Sequence, residues 1–193
     1  MPRHSDRDPY LDPATGVLRN RLGLTDQAAL EQAEAACVAT RSYELSLAPL
    51  EGAFDLAHLQ AIHRYLFGDV YEWAGQLRTI DIAKGGSHFA HHSHIENAAA
   101  PLFSQLAREN HLAGLAPADF SGRAAFYLGE WNALHPFREG RSSTSDQFTL
   151  HAKRHTPFRY LPSLVRWLSL AALCSSWLAK RHNFRPTGLD RNV

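Results

Sequence analysis

Apolar residues recur along this chain mostly at the three- and four-residue steps of one helical face. The clearest case is Phe120, Ala124, Tyr127, Leu128, Trp131 and Leu134, which predicts a helix arriving at Pro136. Proline stops it, because the residue before a proline is pushed out of the helical region. Leu59, Ile62, His63 and Leu66 mark the buried face of a helix capped by Asp55 and ending near Gly68. Thr25 is the predicted cap of a helix from Asp26 to about Glu44, with Ala29, Leu30, Ala33, Cys37 and Thr40 along one side. Ser93-His94-Ile95-Glu96 reads as a capping box opening a further helix, with Ile95, Ala99, Leu102, Phe103 and Leu106 inward and an end near His111.

Between the second and third of these helices the period changes. Leu77-Arg78-Thr79-Ile80-Asp81-Ile82 alternates apolar with polar positions and runs into Gly85-Gly86, which predicts a strand and a turn, with Ser87-His88-Phe89-Ala90 as the return strand. Residues 1–23 are rich in Pro, Asp and Arg and are expected to form an extended arm with one short turn. The expectation is a mainly α fold, a helical bundle with one small β-hairpin. Its parts are an arm over 1–23, a helical domain over 24–150 and a tail of different character over 151–193.

The chain of 193 residues fits one domain, and a 45% hydrophobic content supports a real core. A net charge of +1 argues against a dedicated nucleic-acid binder, which needs a basic face. Trp167 to Cys174 is the most apolar late stretch, too short to span a bilayer. Two cysteines, Cys37 and Cys174, give no disulfide framework, so a reducing cytoplasmic location is the default. Trp73, Phe103 and Trp131 read as core rather than as a ligand platform.

The candidate chemistry lies where the last helix breaks. His135 sits at the break; Glu139 follows four residues on, then Gly140 and a run of caps, Ser142 to Ser145, with Asp146 in a first turn. A base, a carboxylate and a new helix N-terminus together suit an anion with a metal ion beside it. The bland alternative is a helix–helix corner with a surface His and Glu. The twelve histidines offer a second candidate, because His88, His91, His92 and His94 crowd one loop. Zinc needs three or four converging ligands, and no Cys pair or His-Glu-x-x-His pattern accompanies them. They are therefore expected to be solvated loop residues. His151 and His155, four apart, lack an obvious third ligand.

The run His135-Pro136-Phe137-Arg138-Glu139-Gly140 resembles the first half of the Fic (Fido) signature, His-x-Phe-x-Asp/Glu-Gly-Asn-Gly-Arg-x-x-Arg. Tyr71 to Gly86 resembles the family's flap and its lead-in, and the likeness covers about 54–150. The resemblance implies a Fic-type bundle with a hairpin flap that transfers AMP from ATP to a hydroxyl of a target protein docked on the flap. His135 would be the general base and Glu139 the ligand of Mg²⁺. Gly140, Arg141, Ser142 and Ser143 would lie along the phosphates, and Lys84 and Gly85 in the flap near the nucleotide or target strand. Phe137 would anchor the loop. No Ser/Thr-x-x-x-Glu-Gly/Asn inhibitory motif occurs in the chain, which resembles the toxin-like members restrained by a separate small antitoxin.

The second half of the signature departs from the family. Arg141 stands where the family has Asn, Ser142 where it has Gly, Ser143 where it has Arg, and Asp146 where it has the second Arg. Losing one preorganised contact to the transition state lowers a rate on the order of 10²–10³-fold. The nucleotide site is expected to be impaired or altered, and a catalytically inactive nucleotide- or protein-binding module is the alternative.

Overall fold

The computed structural model describes residues 8–84 and 87–139, with residues 83, 84, 87 and 88 as backbone alone. Among the described residues are four helices: α1 (Gln27–Leu47), α2 (Leu56–Phe67), α3 (Ile95–Arg108) and α4 (Pro117–Leu134). α1 packs on α2, α2 on α3 and α3 on α4. No described helix is long and apolar enough to cross a membrane.

The caps explain where the helices begin. Asp55 accepts from the His58 amide at 2.8 Å and opens α2, as its spacing predicts. At α1 the cap is Asp26, which accepts from the Ala29 amide, rather than Thr25. α1 fully buries only Leu30 and Leu45; Ala29, Ala33 and Cys37 of its expected inward stripe are half-buried, and Thr40 is exposed. Its outer end is held by charge: Arg41 makes two bonds to Asp69, at 2.8 and 3.1 Å, and a third to Glu44. α2 buries Leu59, Ile62, His63, Leu66 and Phe67.

Two local expectations change. The capping box at Ser93 does not form. The Ser93 amide instead points to the His91 ring, the His92 amide to Asp81, and a 3₁₀ turn over His92–His94 leads into α3. The run from Leu77 toward Gly85-Gly86, expected as the first strand of a hairpin, pairs only at its far end, and 77–82 is not strand. The ladder is confined to β1 (Ala83–Lys84) and β2 (Ser87–His88), antiparallel with Ala83 opposite His88 and Lys84 opposite Ser87. The physical reason is Arg78. Its side chain is buried and donates to the carbonyls of Ile80 and Ala90, so a guanidinium takes the acceptors that strand pairing would have used.

The core draws on every described helix and on the leading segment. Tyr10, Val17 and Leu18 are buried, Leu11 bridges Leu18, and the Arg21 amide donates to Val70. Tyr10 packs edge-on against Trp73, and its hydroxyl accepts from the Thr79 amide at 3.1 Å. Trp131 and Phe103 are core residues with ring centroids 4.5 Å apart, while Trp73 is half-buried.

Candidate functional site

Helix α4 ends as the sequence predicts, at the residue before Pro136, but by a left-handed turn rather than an extended one. His135 has φ 49° and ψ 64°, and its amide bonds back to the Trp131 carbonyl at 2.9 Å. That conformation strains a residue with a Cβ by roughly 1–2 kcal/mol, so something must hold it. The holder is Arg78. Its Nε donates to the His135 carbonyl at 2.7 Å, its backbone amide to the Pro136 carbonyl at 2.9 Å, and Nη2 reaches the Leu134 carbonyl at 3.5 Å. One buried cation therefore ties the last turn of α4 to both sides of the hairpin stem, at Ile80 and Ala90. The His135 ring is buried and stacks on Phe89, 4.1 Å between centroids and 19° between planes.

The loop after Pro136 has a second support. Phe137 is buried and packs on the His63 ring at 3.9 Å, the anchoring role expected of it. His63 Nδ1 accepts the Gly75 amide at 2.9 Å, so Nε2 must carry the proton, and it donates to the Glu139 carbonyl at 2.9 Å. The bond from Gly75 needs the neutral ring, and burial pushes the His63 pKa down to about 4, against the smaller upward pull of the Glu139 carbonyl. Gly75 has φ +82°, and a Cβ there would stand 2.7 Å from the Gln60 carbonyl, so this approach of the stem to α2 requires glycine.

His135 and Glu139 line one small open pocket together with Leu59, Trp131, Asn132, Pro136 and Phe137, with a cavity volume of about 10 Å³. The Glu139 side chain is about one-third exposed and pairs with Arg138 at 2.6 Å. Arg138 in turn pairs with Asp8 at 3.0 Å, which fastens the leading segment to the loop. A carboxylate offers hard oxygen donors of the kind a divalent cation takes. A divalent cation held by one protein carboxylate plus substrate phosphates suits this donor.

Of the other residues singled out in sequence, Lys84 is placed by backbone alone, in β1. Gly85, Gly140, Arg141, Ser142 and Ser143 lie outside the described residues, as do Asp146 and the tail over 151–193. Sequence reading missed Arg78, Arg138 and Asp8 as loop-holding residues. It placed His63 on a buried face without its contact to the loop. No local signal separates Arg78 from an exposed arginine, because alternation around it fits a solvated strand equally well.

Comparison with known proteins agrees with the fold. The Fic/DOC family model matches residues 53–145. The protein adenylyltransferase VbhT of Bartonella schoenbuchensis is 52% identical over 151 residues, 78% of this chain and 32% of that protein. A probable protein adenylyltransferase Fic of Escherichia coli is 42% identical over 150 residues, 76% of this chain and 74% of that protein. Among solved structures, the BepC protein of Bartonella tribocorum with bound AMPPNP superposes with a TM-score of 0.71 at 26% identity, over 75% of this chain and 76% of that one. The chain spans about a third of the first relative's length and about three-quarters of the second's.

Proposed function

The chain belongs to the Fic/DOC family, and on that premise we propose that it is a protein adenylyltransferase, moving AMP from ATP to a hydroxyl side chain of a target protein. The observation that carries the reading is the loop itself: His135 and Glu139, from either end of five residues, line the same small pocket, with the loop held at His135 by Arg78 and at Glu139 by His63.

In this reading His135 takes the proton of the target hydroxyl as its oxygen bonds to the α-phosphorus. The bond from that phosphorus to the bridging oxygen of the β-phosphate breaks, and pyrophosphate leaves. A positioned general base contributes on the order of 10²–10⁴-fold to such a step. Glu139 is the residue that would hold Mg²⁺, which supplies charge neutralisation on the phosphates. Arg78 keeps the His135 backbone in its left-handed turn, and Phe89 restricts the ring face, so the imidazole is oriented before substrate arrives. Gly140, Arg141, Ser142 and Ser143 would line the phosphates, and Lys84 and Gly85 would border the nucleotide or the target strand. The target would dock on the flap by strand addition, with a separate small antitoxin as the restraining partner. Asp146, where the family has its second Arg, would deny that partner its main ion pair.

The altered positions from Arg141 to Asp146 favour one rival, a binding module without transfer. Purified protein incubated with labelled ATP, Mg²⁺ and cell lysate separates the two. We expect slow label transfer to protein, lowered on the order of 10²–10⁴-fold by His135→Ala. No transfer with retained nucleotide binding would overturn the transferase reading and leave the module.

A further inference from the structure

The histidine loop gains a third ligand from a residue that sequence spacing did not connect to it. Asp81 and His92 are separated by eleven positions, with the β1–β2 hairpin between them. Yet both Asp81 carboxylate oxygens face imidazoles: Oδ2 lies 3.0 Å from His91 Nε2 and Oδ1 lies 2.9 Å from His92 Nδ1. The three ligand atoms fall within 4.8 Å of one another. We propose that Asp81, His91 and His92 form a binding site for a borderline divalent cation of the Zn²⁺ kind, clasping the two ends of the flap hairpin.

The geometry needs little adjustment. A tetrahedral ion with ligand bonds of about 2.0–2.1 Å separates its ligand atoms by about 3.3–3.4 Å, a few tenths of an ångström wider than the two contacts here. Two imidazoles and one carboxylate with a water in the fourth position is an established zinc donor set. The supports around the ligands are also of the right kind. His91 presents Nε2 inward while its Nδ1 meets the Ser93 hydroxyl at 2.9 Å, a partner that fixes ring orientation. Asp81 accepts from the His92 amide at 2.8 Å, which aims the carboxylate.

Both arms of the cluster rest on the same rigid base. Arg78 donates to Ile80, next to Asp81, and to Ala90, next to His91. Its Nη1 lies 3.7 Å from Asp81. The ligands are exposed or half-buried, so an ion can reach them without local unfolding. A bound ion would close a short cross-link around the hairpin. Its effect on target docking rests on the transferase reading, whereas its binding does not.

The test uses the full chain without a histidine tag, stripped with chelator. Zn²⁺ is titrated by calorimetry, and Co²⁺ by its visible absorption, which is intense for tetrahedral coordination. We expect one site, weakened about tenfold or more in Asp81→Ala, in Asp81→Asn and in His91→Ala, and unchanged in the His151→Ala/His155→Ala double variant. Zn²⁺ should also slow amide hydrogen exchange across 82–90 in the wild type alone. These side chains are exposed, so circular dichroism of the variants should match wild type. The proposal is overturned by absence of binding, by binding that survives Asp81→Ala together with His91→Ala, or by loss confined to the His151/His155 variant.

Discussion

Arg78 shows how much a single buried charge can organise. It donates to four carbonyls through its side chain and to a fifth through its backbone, joining α4, the motif loop and both sides of the hairpin stem. Each hydrogen bond to a charged group contributes about 1.5–3 kcal/mol, and orphaned buried carbonyls add a desolvation cost. Lysine offers its donors from one point and cannot span this fork. Arg78→Lys should therefore lose about 3 kcal/mol of stability in urea denaturation. It should also lower label transfer, because the turn that presents His135 loses its support. A wild-type denaturation midpoint in this variant would show that the fork is not what holds the loop.

Among the elements, the junction between α2 and the hairpin stem is the most demanding. Gly75 packs against the Gln60 carbonyl and the Arg64 side chain, and its carbonyl accepts from Gln60 Nε2 at 2.9 Å. Its amide is the donor that fixes the His63 tautomer. Gly75→Ala forces a Cβ into a left-handed residue already touching backbone, at a cost of about 2 kcal/mol. For a chain of this size that lowers Tm by about 4–8 °C, measurable by calorimetry. An unchanged Tm would mean the stem can shift off α2 freely.

For the whole molecule, acid should act first through the histidines that the core holds neutral. His63 has its pKa pushed down to about 4 against an ordinary 6.5, and burial pushes His58 down as well. A depressed folded pKa means that the unfolded chain binds the proton first as pH falls. The stability His63 confers is full above about pH 6.5 and is lost progressively down to about pH 4, at about 1.4 kcal/mol per pH unit. Urea titrations at pH 7 and pH 5 should show that slope, and His63→Gln should flatten it by about one proton. Equal slopes in the two proteins would remove His63 as the acid-sensitive group. Further acid then reaches Asp69 and Glu109, whose carboxyls are held low by Arg41 and Arg123.

Much of this was legible in one dimension. Helix identity follows from apolar spacing and from side-chain caps, both local, and so α2 and α4 fall where the pattern puts them. Proline at 136 ends a helix whatever lies around it, so His135 at a helix end was readable too, and the motif run placed Glu139 beside it. The cap of α1, Asp26 rather than Thr25, is a local matter one residue off. Two things needed the folded chain. Arg78 turns an alternating segment into a pinned loop. Asp81 meets His91 and His92 across the hairpin. Each depends on which residues become neighbours after burial, and a hydrogen bond or a ligand set between distant positions leaves no period in the sequence for a reader to find.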